Sequence, residues 1–330
     1  MSALTIVMYH YVRDRARTRY PGLKVRSVEE FEGQLDYITR HYRVVSTRDV
    51  AAAARGDRAL PPMACLLTFD DGFLDHFITV LPRLLERGLT GSFYAPVAPI
   101  EERRVLDTHK IQIVLAAAPD PARLARRVLE LVEGFRDQHE LPAADALYHR
   151  YAQASRFDGP DVVFVKRALQ RGLPGPVRAA ITSRLFAEYA GADEATVAQE
   201  LYMDLAQLRA LVHAGMEVGG HGAEHLWLDS LPRGEQAREI EATAAFLGRV
   251  HGRTPADWVM CYPFGAYDAQ TLELLSGAGC GLGLTTRVDL VPDLRAPLEL
   301  ARLDTNDLPL SGDAPACEWT RRAAAVGAPA

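Results

Sequence analysis

Two adjacent aspartates that follow a short apolar run are the residues of this chain best suited to carry chemistry. Asp70 and Asp71 stand in the sequence TFDDG at 68–72, directly after the apolar run at 63–67. The bounding prolines and glycine predict a buried strand that ends there. Neighbouring carboxylates repel each other in a low dielectric, and a bound cation removes that cost. One aspartate can then bind the cation while the other accepts a proton from water. The alternative interpretation is an Asp-Asp-Gly turn without a site.

Two histidines four residues apart offer further ligands. His221 and His225 stand in the sequence GGHGAEH at 219–225. Histidines with this spacing project from one face of a helix and can bind a single metal ion. Alone, the pattern is weak evidence, because paired core or surface histidines are more common than a metal site. Together with Asp71 they supply one carboxylate and two imidazoles, a ligand set that leaves positions open for water and substrate.

A third stretch, CYPFG at 261–265, follows the apolar residues 258–260. With the three stretches in this order, the chain resembles the polysaccharide deacetylase family, also called the NodB-homology or carbohydrate esterase 4 group. The match covers these stretches within a framework of about 4–100 and 200–310. The resemblance implies an α/β fold, a distorted (β/α)-barrel of the NodB-homology type.

The resemblance also implies the metal ligands and the catalytic base. Asp71, His221 and His225 would bind one divalent metal ion, and Asp70 would accept the proton of the attacking water. Zinc is the first expectation for the metal, while cobalt, nickel and manganese also tolerate two histidines and one carboxylate. The sequence therefore predicts a metal-dependent hydrolase.

Three further residues are expected around this centre. The backbone N–H of Tyr262 is the expected second donor to the oxyanion, because Pro263 has no N–H to donate. Phe264, in the same turn, is expected to contact the substrate. His10 follows a strand-like segment and is either a hydrogen-bonded core histidine or, as the resemblance implies, part of the site.

The chain departs from the family pattern at the residue before the aromatic-proline pair. Family members commonly carry an arginine there, which orients the catalytic aspartate, and this chain has Cys261. Arg302, in the sequence LARL at 300–303, could replace the missing arginine. The alternative for Arg302 is an ordinary surface ion pair.

The usual general acid is also missing. The family commonly supplies it from a Leu-x-His near the C-terminus, and no histidine follows His251 in this chain. His109, which begins a long helical segment and could swing over the site, is the predicted replacement, against the alternative of a solvated surface histidine. If His109 is not the acid, the proton would come from His10 or from Asp70 itself.

Length and composition limit the classes of protein. The 330 residues carry 37 basic and 43 acidic side chains, a formal net charge of −6, and 48% are hydrophobic. No basic block stands out, which argues against a nucleic-acid partner. We see no signal peptide and no apolar stretch long enough to cross a membrane. Four cysteines without close pairing favour reduced thiols. Together these features predict a cytoplasmic protein.

Strands alternate with helices up to about residue 100, and the pattern then changes. From about 101 to 200 the sequence is helical, and we interpret this part as a large insertion near the mouth of the barrel that sets substrate choice. The framework resumes after it, so a single domain over 1–330 is expected. An Ala-, Pro- and Gly-rich tail at about 311–330 is expected to be flexible.

Several functions remain open at this point. The leading hypothesis is removal of an N-acyl group, acetyl first, from an amino sugar or sugar conjugate, including a nucleotide-linked or lipid-linked one. A deformylase, a cyclic imide or ureide hydrolase, and a non-catalytic sugar-binding relic are the alternatives with the same fold. The sequence 221–225 also fits the inverted zinc-peptidase pattern H-x-x-E-H with Glu224 as base. The glycines around it weaken the helix that this pattern needs.

Overall fold

The computed structural model describes residues 3–326, which divide into two units. The first unit contains the described residues up to 14, residues 25–103 and the described residues from 199 onward. The second contains residues 15–24 and 104–198. The chain therefore leaves the first unit and returns to it.

The strands all belong to the first unit and pair in parallel. They are β1 (Thr5–Tyr9), β2 (Arg43–Val44), β3 (Ala64–Phe69), β4 (Ser92–Ala95), β5 (Glu217–Gly220), β6 (Trp258–Cys261), β7 (Cys280–Leu284) and β8 (Leu303–Asp304). Their order is β7-β6-β5-β4-β3-β1-β8, with β2 beside β3. A parallel bridge from Leu284 to Leu300 joins β7 to the segment just before β8. This segment contacts both edges of the sheet, and the predicted (β/α)-barrel architecture is confirmed.

Helices connect the strands and build the second unit. They are α1 (Val28–His41), α2 (Thr47–Ala54), α3 (Leu81–Glu86), α4 (Val97–Glu102), α5 (Asp107–Ala117), α6 (Pro121–Glu133), α7 (Ala144–Tyr151), α8 (Pro160–Arg167), α9 (Gly175–Tyr189), α10 (Glu194–Leu201), α11 (Leu205–His213), α12 (Arg233–His251), α13 (Ala269–Gly277) and α14 (Glu318–Val326). Residues 104–198 are fully described and contain no strand. The expected insertion at about 101–200 has its counterpart in this helical unit, and its control of substrate choice stays a prediction.

The C-terminal segment differs from the expected flexible tail. Residues 318–326 form α14, and the hydroxyl of Thr320 hydrogen-bonds with the hydroxyls of Tyr37 and Tyr42 at 2.7 and 2.8 Å. The helix is tied to the chain by these buried hydroxyls, which composition alone does not reveal. The expectation of a flexible tail does not hold for these residues, and 327–330 lie outside the described part of the chain.

Two further expectations concern reduced thiols and the lack of a segment that could cross a membrane. All four cysteines are free, and three of them are buried. Among the helices of the described residues, none combines the length and apolar character needed to cross a membrane.

Parallel pairing brings the candidate residues to one edge of the sheet. Strands β1, β3 and β5 each end one residue before a candidate, namely His10, Asp70 and His221. Because parallel strands present their carboxyl ends at the same edge, these side chains meet there. Sheet topology therefore assembles residues that are far apart in the sequence.

Two glycines in β5 stand where neighbouring side chains leave no space. A Cβ at Gly219 would lie 2.6 Å from Cε1 of Tyr94, and one at Gly220 would lie 2.1 Å from Cγ2 of Thr243. The glycines are thus explained by close packing on both faces of a strand, and not by loop flexibility. They let β5 lie close enough to its neighbours to place His221.

We predict that Gly220→Ala destabilises the protein by about 1–3 kcal/mol, because the added methyl group overpacks the contact with Thr243. The measurement is urea unfolding followed by circular dichroism. The control is Gly234→Ala on α12, where an added Cβ meets no atom within 4 Å. A Gly220→Ala variant as stable as the Gly234→Ala variant would contradict the packing argument.

Candidate active site

Asp71, His221 and His225 converge as the sequence predicts. Oδ1 of Asp71 lies 3.2 Å from Nε2 of His221 and 3.4 Å from Nε2 of His225. One potential ligand atom from each residue lies within 4.8 Å of the others, and all three side chains are buried. The structure therefore brings together one carboxylate and two imidazoles in a single cluster.

The histidine segment is a loop, and not the helical turn expected from its spacing. Residues 221–225 follow the end of β5, and His225 has a φ of 54°. The carboxylate of Glu239 accepts the N–H groups of Ala223 and Glu224 at 2.8 and 3.0 Å, which fixes the loop. Because the H-x-x-E-H interpretation needs a helix at this place, the structure removes its basis.

The donor set fits a divalent cation. Nδ1 of His221 lies 2.7 Å from the carbonyl oxygen of Cys261 and must carry the proton, since a carbonyl only accepts. Its Nε2, 3.2 Å from Oδ1 of Asp71, is then the ring nitrogen that would bind a metal ion in place of a proton, as in metal-binding histidines. Burial lowers the pKa of His221, but the carboxylates of Asp71 and Asp70 outweigh it and raise that pKa well above its usual value. The cluster therefore attracts positive charge, which a metal ion would supply.

Asp70 forms a buried, bidentate ion pair with Arg302. Oδ1 of Asp70 accepts from Nη1 at 2.9 Å, and Oδ2 lies 2.8 Å from Nη2. Both side chains are almost fully buried. Burial by itself raises the pKa of Asp70, yet Arg302, with help from His221 and His10, lowers it to about 2. Asp70 is thus held ionised beside the ligand cluster.

Arg302 also contacts the position where the family pattern has an arginine. Its Nε donates to the carbonyl of Thr285 at 2.8 Å and its Nη1 to the hydroxyl of Thr68 at 3.2 Å. Its Nη2 lies 3.1 Å from Sγ of Cys261, and that thiol lies 3.3 Å from Asp70. Burial raises the pKa of the Cys261 thiol, so it stays neutral and leaves the charge to Arg302. The alternative of a surface ion pair for Arg302 is wrong.

His10 lies beside both aspartates. Its Nε2 is 4.0 Å from Oδ2 of Asp70 and 3.9 Å from Oδ2 of Asp71, and its side chain is 40% exposed. The carbonyl of His10 accepts a hydrogen bond from Nε2 of His76 at 2.8 Å. Burial lowers the pKa of His76 to about 4, so this partner stays neutral. His10 is therefore fixed at its backbone while its imidazole reaches solvent.

The turn after β6 corrects one expectation. The N–H of Tyr262 donates to the carbonyl of Leu284 at 3.0 Å, so it is already used within the sheet and cannot serve an oxyanion. Phe264 has a φ of 58° and lies 4.6 Å from the ring of His225, centroid to centroid. Its other neighbour is Trp227, stacked at 4.4 Å with planes 7° apart. Phe264 thus lies beside His225, and its contact with substrate stays a prediction. The hydroxyl of Tyr262 donates to the carbonyl of Leu298 at 2.8 Å, so this residue supports the fold.

His109 lies on α5 in the second unit with a fully buried side chain. The expectation that it begins the insertion is met, since α5 starts two residues earlier. Its backbone N–H donates to the carbonyl of Leu106 at 2.9 Å within the first turn. The alternative of a solvated surface histidine is wrong, and the role of general acid stays a prediction.

Sequence reasoning missed three residues around the cluster. They are His76, Trp227 and Glu239, which contact site residues through a π-helical turn, a ring stack and a helix face. Their sequence surroundings resemble ordinary helix or loop positions, and contact arises only when distant elements meet. Glu239 alone had a usable signal, because it precedes Ile240 on the buried face of α12 and a buried carboxylate needs partners.

Comparison with known protein families gives a match over residues 184–282. The matched family is described as polysaccharide deacetylase. Two of the three cluster residues, His221 and His225, and the turn with Phe264 lie inside the matched region. No curated protein sequence matches the chain significantly.

Solved structures share the fold at low sequence identity. The Streptococcus pyogenes deacetylase PplD in complex with acetate superposes with a TM-score of 0.57 at 15% identity, over 94% of this chain and 95% of that one. IcaB from Ammonifex degensii superposes with a TM-score of 0.55 at 18% identity, over 99% of this chain and 98% of that one. The de-N-acetylase from Aggregatibacter actinomycetemcomitans superposes with a TM-score of 0.53 at 13% identity, over 95% of this chain and 97% of that one. The chain thus matches the polysaccharide deacetylase family model over residues 184–282, and it shares its (β/α)-barrel fold with these solved structures.

Proposed function

We propose that the protein is a metal-dependent deacetylase that removes an N-acyl group, acetyl first, from an amino sugar or sugar conjugate. One observation supports this proposal above the others. An ionised carboxylate, Asp70, is buried beside a cluster of one further carboxylate and two imidazoles. A base and a cation site in contact are what hydrolysis of an unactivated amide requires.

Asp71, His221 and His225 would hold the metal ion. A divalent cation there would supply Lewis acidity that activates water and polarises the amide carbonyl. Asp70 accepts the proton of the attacking water, and Arg302 holds its two oxygens in place through the bidentate contact. A base with a low pKa is ionised throughout the neutral range, so it is ready before substrate arrives.

The backbone N–H of Phe264 is the donor we propose for the developing oxyanion, in place of that of Tyr262. The two hydrogen bonds of the turn come from the N–H groups of Gly265 and Ala266, so neither uses that of Phe264. The ring of Phe264 lies 4.6 Å from that of His225, centroid to centroid, and this contact supports the choice. A backbone donor fixed by a turn needs no reorganisation during the reaction.

We assign the donation of a proton to the leaving amine to His10, with His109 as the rival. His10 lies within 4.0 Å of both aspartates and is partly exposed, so it can exchange protons with solvent. An amine leaves only when it is protonated as the C–N bond breaks, so a donor beside the base is required. The side chain of His109 is buried.

The function is tested by acetate release after metal loading. Purified protein is loaded in turn with zinc, cobalt, nickel or manganese and offered N-acetylglucosamine oligomers and a nucleotide-linked N-acetylglucosamine. We expect metal-dependent acetate release from at least one of them, abolished by a chelator. Formate release from formyl-amino sugars, or turnover of cyclic ureides alone, would instead establish one of the alternative hydrolases.

Substitutions should separate metal binding from proton transfer. Asp71→Asn and His225→Ala should lose most of the bound metal, because each removes one of three ligands. Asp70→Asn should keep the metal and lower kcat by about 10²- to 10⁴-fold, the usual contribution of a general base. Metal content by mass spectrometry and kcat are measured on the same samples.

The matched control is His213→Ala, since His213 lies exposed at the end of α11. This substitution should change neither the metal content nor kcat. An Asp70→Asn variant without metal, beside an Asp71→Asn variant that keeps it, would show that the two roles are reversed.

The ion pair between Asp70 and Arg302 leads to a prediction about how stability and activity depend on pH. The pKa of Asp70, about 2 in the folded protein against 3.8 ordinarily, means that its ionisation stabilises the fold above about pH 4. This stabilisation is lost as the pH falls toward 2. Arg302→Lys keeps the positive charge but loses the bidentate contact of the guanidinium group with the Asp70 carboxylate. We therefore expect the pKa of Asp70 to rise, the acidic limb of the kcat/KM profile to move to higher pH, and kcat to fall.

Arg295→Lys, at an exposed arginine seven residues earlier, is the control for that experiment. Its pH profile should match that of the unmodified protein. A profile unchanged in Arg302→Lys as well would mean that the arginine does not set the ionisation of Asp70.

The assignment of the acid is tested with two leaving groups. His10→Ala should lower kcat for an N-acetyl amino sugar by about 10²-fold or more and leave hydrolysis of an activated aryl acetate nearly unchanged. The phenolate of such an ester leaves without a proton, so a lost acid spares it, whereas a distorted site would not. If His109→Ala shows this selective loss and His10→Ala does not, His109 is the acid.

A further inference from the structure

The histidine segment at 221–225 is held through its backbone from two sides. On one side its carbonyl oxygens accept from the first N–H groups of α4. The N–H of Val97 donates to Gly222 at 3.2 Å, and that of Ala98 donates to Ala223 at 3.0 Å. On the other side its N–H groups meet a side chain of α12. The segment and both helices belong to the first unit, so two helices of that unit set the path of the segment.

The side chain from α12 is that of Glu239. One of its oxygens, Oε2, accepts the N–H groups of both Ala223 and Glu224, at 2.8 and 3.0 Å. The residue is 7% exposed. Successive N–H groups that converge on one oxygen form the kind of backbone nest that binds anions. Removal of this carboxylate would take the shared acceptor away from both N–H groups, so the segment would no longer be fixed on this side.

The glycine before these donors shows how closely the segment is packed. Gly222 has a φ of 73°, a left-handed conformation that glycine adopts without steric cost. A Cβ added there would lie 3.3 Å from Oε2 of Glu239 and 3.1 Å from Cγ of Pro263. The segment therefore passes close to both the carboxylate and the turn after β6, with little space for another path.

The two histidines of the cluster depend on this segment to different degrees. His221 directly follows β5, and its Nδ1 donates to the carbonyl of Cys261 at 2.7 Å. His225 lies beyond residues 222–224 and has a left-handed φ of 54°. A non-glycine residue adopts this conformation at a cost and keeps it only where its surroundings impose it. The place of the His225 imidazole thus depends on the backbone that Glu239 holds.

We propose that Glu239 is a positioning residue of the candidate metal site. It holds the backbone of residues 223 and 224 so that His225 meets the other two ligands, with Nε2 of His225 lying 3.4 Å from Oδ1 of Asp71. Residues that orient metal ligands typically contribute about 10- to 100-fold to metal affinity. This inference rests on the proposed function, because it requires that Asp71, His221 and His225 bind a divalent cation.

Two conservative substitutions separate position from charge. A carboxylate near a cation could also act by its charge alone. Glu239→Gln removes the charge and keeps an acceptor oxygen at the same reach, whereas Glu239→Asp keeps the charge and is shorter by one methylene group. Positioning therefore predicts that the Glu239→Gln variant stays closer to the unmodified protein than the Glu239→Asp variant does.

The test measures metal binding by the full chain without reference to activity. Zinc affinity is obtained by competition with a chromophoric chelator, and the visible absorption of the cobalt-loaded protein reports the geometry around the ion. We expect Glu239→Asp and Glu239→Leu to weaken zinc binding by about 10- to 100-fold and to change the cobalt spectrum. Glu239→Gln should weaken zinc binding by less than about 10-fold and keep the spectrum. The control is Glu241→Leu, the same change at an exposed residue of α12, which should alter neither.

Urea unfolding of the metal-free variants shows which of them fold. If Glu239→Leu does not fold, the comparison of Glu239→Gln with Glu239→Asp decides. Zinc affinity in Glu239→Asp equal to that of the unmodified protein, or higher than that of Glu239→Gln, would overturn the proposal. Normal zinc binding by the unmodified protein and by all Glu239 variants would overturn this inference alone. An unmodified protein that binds no divalent ion would overturn the proposed function and this inference with it.

Discussion

The buried contact between Asp70 and Arg302 is the interaction on which the site depends. A carboxylate that is almost fully buried would take up a proton unless an opposite charge lay against it. The bidentate pair keeps Asp70 ionised and fixes both of its oxygens. Removing one partner of such a pair costs about 3–5 kcal/mol, because the other charge stays buried and unpaired. The same contact therefore stabilises the fold and keeps the proposed base ionised.

The position of Arg302 in the chain gives this pair a second role. The arginine lies between Leu300, which bridges to β7, and β8, which pairs with β1. Its side chain thus joins the segment that contacts both edges of the sheet to the end of β3. Arg302 contacts both Asp70 and the thiol of Cys261, and that it replaces the arginine of the family pattern stays a proposal.

Around this pair, the active-site loops are held by buried partners and not by helices. The carboxylate of Glu239 accepts two N–H groups of the histidine loop, His76 holds the carbonyl of His10, and the carbonyl of Cys261 orients His221. Each partner restricts the motion of a candidate site residue, which is the preorganisation that the proposed reaction would use. These supports explain how loop residues with left-handed backbone conformations hold a defined geometry.

The sequence by itself determined the parallel architecture, and it named the candidate metal ligands and base, which the structure brings together and whose roles stay a proposal. Residue type and order carry that information, because strands alternating with helices force a parallel sheet whose ends meet. For Arg302 the sequence left two alternatives open, a contact with the catalytic aspartate or an ordinary surface ion pair. Tertiary structure decided that the histidine segment is a loop, that the N–H of Tyr262 is used by Leu284, and that His10 reaches both aspartates. These outcomes depend on contacts with residues that are distant in the sequence. The spacing of residues within one motif does not determine which distant residues those are.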